Sequence, residues 1–287
     1  MPPKKTVLIT GPGGIGHSLA LEFNKQGFFH PPGLHVIATA RNTSSLSHLA
    51  SKGITTLPLD VTSASSISTL KSEIVRLTEG RGLDVLVNNA GRNYTVPALD
   101  VDMDEVHATF DTNVYGVMRM CQAFAPLLIE AKGTIVQIGS LAGVMPYVFG
   151  SAYNASKAAL HAYSDTLRVE LSPFGVHVMT IVTGGVKSNI ARVDRVLPDD
   201  SVYAPIEDVY QRRLKHSQEV GLANEEYARS VVGEVLRTRK KKWVWQGAKS
   251  WVMWWVTSWL PKGTMDWVFY RMFQLWRLKP GVQKKMM

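Results

Sequence analysis

Thr6-Val7-Leu8-Ile9-Thr10-Gly11-Pro12-Gly13-Gly14-Ile15-Gly16 decides the fold. A short run of apolar and β-branched residues leads straight into a glycine-rich turn. A stretch with apolar residues at helical spacing, Leu19–Lys25, follows it. Glycine in such a turn lets backbone approach a pyrophosphate, and a helix N-terminus offers unpaired N–H groups and a dipole that favours anions. Many ordinary strand–helix turns are rich in glycine, so the motif alone is weak. Its place after the first strand of an alternating chain is what points to a nucleotide.

Working outward, further strand-like runs lie at His35–Ala40, Thr55–Leu59, Leu83–Asn88, Gly133–Gly139 and His177–Val182. Helical patterns separate them, notably Val106–Glu130 and Ala152–Leu171. Strands alternating with helices predict an α/β fold, a doubly wound parallel sheet with helices on both faces. Residues 191–238 are polar and mixed, with a helical run near Glu225–Arg237, and residues 239–287 form a basic, Trp-rich extension. The expected organisation is one domain over 1–238 and an amphipathic extension over 239–287.

Composition narrows the function classes. With 45% hydrophobic residues the chain is too apolar to be disordered. A single cysteine, Cys121, excludes a disulfide framework, and the scattered histidines show no metal-ligand spacing, so no metal is expected. Met1-Pro2-Pro3-Lys4-Lys5 has no apolar run of the kind a secretory leader needs. The net charge of +9 is unevenly placed: eleven of the 32 Lys and Arg, but one of the 23 acids, fall at 239–287. The extension therefore carries all the excess positive charge, and a nucleic-acid partner is not expected.

Two clusters carry chemistry. At the end of the second strand, Arg41 stands where an acid would hydrogen-bond the ribose 2′-OH of NAD; an arginine suits a 2′-phosphate. Asp60 and Val61 end the next strand, and Asn88-Asn89-Ala90-Gly91 ends the one after it. Further on, Ser140 closes a strand, and Tyr153 and Lys157 stand one helical turn apart on a single face. A phenol with a pKa near 10 is a poor acid at neutrality, and a neighbouring ammonium would lower it. Tyr-x-x-x-Lys is common on helix surfaces; its weight comes from standing in order behind the glycine turn, the Asn-Asn-Ala-Gly strand end and Ser140.

With these motifs the chain resembles the short-chain dehydrogenases/reductases over roughly residues 5–190. That resemblance implies a single Rossmann-like domain, a nicotinamide cofactor and a catalytic tetrad of Asn113, Ser140, Tyr153 and Lys157, with Lys157 also on the nicotinamide ribose and Asn113 holding a relay water. It implies cofactor contacts from Thr10, Gly11, Gly14, Ile15, Gly16, Arg41, Asp60, Val61, Asn89, Ala90, Gly91, Tyr153, Lys157, Gly184, Val186 and Ser188. The segments Pro97-Ala98-Leu99-Asp100, Ala131–Val136, Gly139–Val144 and Thr183-Gly184-Gly185-Val186 are similar to those of fungal NADPH-dependent 1-acyldihydroxyacetone-phosphate reductases. Those imply NADP(H), a lipid-like ketone substrate, a possible homo-oligomer and a place at the endoplasmic reticulum or on lipid droplets. A ketoreductase of fungal secondary metabolism is the alternative, and a non-catalytic membrane-associated protein with a degraded cofactor site is a third reading.

Three departures from the family pattern stand out. The usual Thr-Gly-x-x-x-Gly-x-Gly turn is shortened, with two residues between Gly11 and Gly14. Phe28–Gly33 looks like an inserted loop, expected near the adenosine-phosphate site. Thr183 replaces the usual proline. In the extension, the apolar run Trp251–Leu260 is about half of the roughly 20 residues a spanning helix needs. A second stripe joins Met265, Val268, Phe269, Met272 and Trp276. Tryptophan and basic residues together predict an interfacial hairpin over 243–279 that docks on a membrane or droplet, the rival being packing over the substrate pocket or a dimer seam.

Overall fold

Strands apolar on both faces must be covered by a helix layer on each side, with right-handed crossovers between parallel neighbours. The computed structural model, which describes residues 3–30, 32–187, 195–261 and 263–278 (backbone only at 216–220), meets that demand with one seven-stranded sheet. In chain order the elements are β1 (Lys5–Thr10), α1 (Ile15–Gln26), β2 (Leu34–Ala40), α2 (Ser47–Ala50), β3 (Thr55–Pro58), α3 (Ala64–Thr78) and β4 (Val85–Asn88). Then come α4 (Met103–Phe110), α5 (Gly116–Glu130), β5 (Thr134–Ile138), α6 (Ser151–Leu171) and β6 (His177–Thr183). The last elements are α7 (Glu207–Val220), α8 (Asn224–Leu236), β7 (Trp243–Gln246), α9 (Ser250–Trp259) and α10 (Thr264–Met272).

All neighbouring strands are parallel, in the order β3-β2-β1-β4-β5-β6-β7. The chain winds outward from β1 to β3, then returns to lay β4 beside β1. Crossovers leave β1 and β4 in opposite directions, and a crevice opens at their C-terminal ends. On one face α1 and α8 bury Leu19, Phe23, Tyr227 and Val231 against the sheet. On the other, α3, α5 and α6 bury Ile74, Phe124 and Leu160. A third cluster joins Val209, Tyr210 and Leu214 of α7 to Phe269 of α10 and to Phe149 and Phe273.

The structure corrects the sequence reading in several places. The sheet runs past residue 238: Trp243, Val244 and Trp245 sit in β7, paired with β6, so the first part of the extension is sheet and not hairpin. The expected continuous helix Val106–Glu130 starts at Met103 and is interrupted by a π-helical turn at Asp111–Tyr115. The polar stretch after 191 holds α7 as well as α8. The Phe28–Gly33 loop joins the end of α1 to the start of β2. It therefore lies at the edge of the sheet opposite the crevice, away from the adenosine-phosphate site where it was expected. Ser188, Pro31, Lys262 and Lys279 lie outside the described residues.

Thr183 has a structural partner. Its Oγ1 and the Tyr227 hydroxyl of α8 are 2.7 Å apart, with both residues buried. A buried hydroxyl that loses its partner costs about 1–3 kcal/mol, whereas removing both is far cheaper. Tyr227→Phe and Thr183→Val should each lower unfolding stability by that amount, and the double variant by less than the sum of the two; urea denaturation of the four proteins measures the coupling.

Candidate active site

The shortened glycine turn is intact as a turn. Gly11 and Gly14 have φ of 64° and 54°, conformations that favour glycine. A Cβ on Gly11 would lie 2.6 Å from Ala90 Cα, and one on Gly16 would lie 2.6 Å from Gly11 O. Asn89 ties the turn to β4: its Nδ2–H donates to Thr10 O at 3.1 Å, while Thr10 Oγ1 accepts the N–H groups of Asn89 and Ala90, each at 3.0 Å. Thr10 and Gly16 thus support the crevice from behind. Gly11, Gly14 and Ile15 form its wall, so the N-terminus of α1 still faces the opening.

The crevice has a volume of about 1360 Å³, above the ~300–1,000 Å³ typical of a single-ligand pocket. It brings together Arg41, Asp60, Val61, Asn89, Ala90, Gly91, Ser140, Tyr153, Lys157, Gly184 and Val186, all expected at the site. Arg41 is exposed at the rim, at the end of β2. The Asp60 carboxylate accepts the Thr62 N–H at 2.9 Å and the Thr62 hydroxyl at 2.7 Å, and these bonds hold its pKa below the ordinary value. Asp60 is therefore fixed in place beside Arg41 without closing over it.

At the other end Tyr153 and Lys157 rise from the first turns of α6, and Ser140 follows β5. Burial pushes the Tyr153 phenol up, while a hydrogen bond with the Ser140 side chain and the charge of Arg213 pull it down. Lys157 Nζ–H donates to Ile138 O at 2.9 Å and stands 5.9 Å from the Tyr153 ring centroid. Burial draws the Lys157 ammonium down to about 8. Asn113 does not reach the wall. It is fully buried in the π-helical turn, accepting Arg92 N–H on Oδ1 at 2.8 Å and donating from Nδ2 to Arg92 O at 2.8 Å and Ser156 Oγ at 3.0 Å.

The profile of the short chain dehydrogenases matches residues 5–196. The chain belongs to that family. A short-chain dehydrogenase of Hypocrea virens, virD, is 42% identical over 280 residues, which is 96% of this chain and 95% of the relative. An NADPH-dependent 1-acyldihydroxyacetone phosphate reductase of Schizosaccharomyces pombe is 46% identical over 213 residues, covering 71% and 70% of the two chains. The closed form of a serine dehydrogenase complexed with NADP+ superposes with a TM-score of 0.70 at 26% identity, covering 84% and 94%. This short-chain dehydrogenase is accordingly an NAD(P)-dependent oxidoreductase, and the non-catalytic reading falls away.

Residues that the sequence reading left aside complete the site. His161 stands one turn beyond Lys157 on α6 and is buried. Its Nε2 accepts the Ser140 N–H at 3.2 Å, which fixes the start of the Ser140 loop. Its ring lies edge-on to Trp243 of β7, whose Nε1–H donates to Asp165 at 2.8 Å. Arg213 of α7 enters the same crevice from 60 residues beyond Tyr153, too far along the chain for any local pattern to connect them. The extension roofs the opening with Met253 of α9 and with Met265, Val268, Phe269 and Met272 of α10, joined by Met145 from below.

Burial draws the His161 imidazole down to about 4, from 6.5 when free. The unfolded chain therefore binds the proton first, so this residue leaves stability untouched above pH 6.5 and lowers it as pH falls toward 4. Over that window the loss is about 3 kcal/mol. His161→Gln should flatten the decline between pH 6.5 and 4.5, as read by urea denaturation across that range.

Proposed function

We propose that this short-chain dehydrogenase reduces a ketone on an apolar, lipid-like molecule, with Tyr153 as the proton donor and 1-acyldihydroxyacetone phosphate as the best-supported substrate. The cofactor is NADP(H). The residues present fit it: Arg41 is at the end of β2 where a 2′-phosphate would lie, and the positive-φ glycines deliver the α1 N-terminus to the crevice. Asp60 and Val61 would border the adenine, Lys157 would hold the nicotinamide ribose, and Gly184 and Val186 the nicotinamide end. When bound, NADPH supplies the hydride.

The chain's own groups do the rest. Ser140 donates a hydrogen bond to the substrate carbonyl, and Tyr153 gives its proton to the oxygen as negative charge develops there. Lys157, held by Ile138 O and drawn down to about 8 by burial, restores that proton. Asn113 spends its side chain on Arg92 and Ser156, which leaves the π-helical turn around it as the part that can seat a relay water.

The observation that carries the substrate reading is the roof. Met145, Met253, Met265, Val268, Phe269 and Met272 form an apolar wall beside Tyr153, contributed largely by the extension. The acyl-phosphate reductase relative supports the phosphate ester. A neutral ketone of fungal secondary metabolism is the second reading: the fungal short-chain dehydrogenase virD, whose name specifies no phosphate ester, matches 96% of the chain, against 71% for the acyl-phosphate reductase. NADPH oxidation on 1-palmitoyl-dihydroxyacetone phosphate and its dephosphorylated analogue separates them: the first reading expects turnover only with the phosphate. Tyr153→Phe should lower kcat at least a thousandfold and leave NADPH binding, followed by fluorescence, unchanged; retained turnover removes Tyr153 from its role.

The outer face of α9 and α10 supports surface docking at the endoplasmic reticulum or a lipid droplet. Trp251, Trp255 and Trp259 are 73%, 50% and 70% exposed and follow one another at four-residue spacing, and Trp267 is 66% exposed. Lys249 and Arg271 flank them, a combination that suits an anionic interface. No helix among the described residues is long and apolar enough to cross a membrane. Replacing Trp251, Trp255 and Trp259 together by serine should abolish flotation with anionic vesicles while leaving turnover of a short-chain ketone intact. Equal flotation of the two proteins would refute docking through this face.

A further inference from the structure

Arg213 is a cation without a counter-ion in the described part of the crevice. The other arginines near the substrate end are occupied: Glu105 binds both Arg92 and Arg195. Arg213 is 8% exposed, and among the described residues the groups whose charge bears on it are the phenols of Tyr147, Tyr153 and Tyr210, with no carboxylate in an ion pair. Its guanidinium plane lies against the Tyr147 ring, Cζ to centroid 3.9 Å, and its Nε–H points to Val148 O at 3.4 Å. Stacking on a phenol and one long bond to a carbonyl are small returns for burying a full charge. Neither uses the terminal nitrogens, whose planar fork matches an oxyacid.

The surroundings say what such an acid belongs to. Arg213 lines the crevice with Tyr147, Tyr153 and Ser140, and Met145, Phe269 and Met272 line the same space. We propose that Arg213 is the substrate-acid site of this enzyme: it binds a carboxylate or phosphate carried by an apolar ketone, beside the carbonyl that Ser140 and Tyr153 address. The inference rests on the reading of the crevice as one that takes an apolar ketone, and it adds the group that orients it. An acid bound there satisfies the guanidinium on substrate arrival and fixes which end of the ketone meets Tyr153. Arg213 is also a charge that favours the Tyr153 phenolate, so an acid seated on it partly cancels that pull and leaves Tyr153 a better proton holder at the start of reduction.

Calorimetric titration of the intact protein saturated with NADP+ tests the site without requiring turnover. The probes are octyl phosphate, octanoate and octanol. Saturation with NADP+ covers the cofactor cations, and short chains stay below their micelle concentrations. At least one of the two acids should bind the wild type ten times or more tightly than octanol, and the arm that does so names the acid. Arg213→Gln should bring that acid to the level of octanol with octanol itself unchanged; Arg213→Lys, which keeps the charge and loses the fork, should fall between. Unchanged NADP+ affinity shows that the variants are folded, and if Arg213→Gln fails that check the Lys variant alone decides through its reduced preference. Acid binding that is the same in wild type and variants, or no stronger than octanol binding, overturns the proposal. Failure to reduce 1-palmitoyl-dihydroxyacetone phosphate while the acid preference persists would strike the substrate reading and leave the Arg213 site standing.

Discussion

The contact on which the rest depends is the one between the glycine turn and the end of β4. Gly11 lies so near Ala90 that a single methyl group would collide with backbone, and Thr10 and Asn89 lock the two segments with side-chain to main-chain bonds. This junction sits where the sheet reverses its winding. Were it looser, the N-terminus of α1 would drift from the crevice and the strand ends that carry Asp60, Ala90 and Ser140 would lose their common edge. The shortened turn keeps the junction because the glycines absorb the tighter path; the missing residue is taken from the loop, not from the contact.

A second theme is how the crevice distributes its charges. Among the described residues two acids line it, Asp60 and Glu225; Asp60 is held by Thr62, and Glu105, outside the lining, binds two arginines. Lys157 is steadied by a backbone carbonyl rather than by a carboxylate. Two further cations, Arg41 and Arg213, lie well apart, one exposed at the rim and one buried near Tyr153. A site built this way attracts anions at two separated points, while burial keeps the Tyr153 phenol protonated against the pull of Arg213.

Much of this was legible in the sequence because it is local. The turn, the Asn-Asn-Ala-Gly strand end, Ser140 and the Tyr153–Lys157 pair are short patterns whose spacing reflects one element each. The parts that escaped are tertiary. β7 is four residues long and follows a basic run, so Trp243 and Trp245 read as membrane-facing when they close the sheet. The place of the 28–33 loop is tertiary too, since a connection's length says nothing about which edge of the sheet it occupies. His161 and Arg213 act through neighbours distant in the chain, one on the Ser140 backbone and one across the crevice from α7. The extension faces both ways: Phe269 and Phe273 pack on the body while Trp267 and Trp259 are exposed to solvent.

The thioethers over the substrate end have a consequence of their own. Met145, Met253, Met265 and Met272 are unbranched, and each can change rotamer without moving the backbone that carries it. A wall of this kind reshapes itself around chains of different length or curvature, so neighbouring enzymes can exchange one hydrophobic guest for another with few substitutions. The same softness is a liability: one oxygen atom added to any of these sulfurs would turn a greasy surface into a polar, stereogenic one, and the cleft would be spoiled by peroxide long before the scaffold beneath it was harmed.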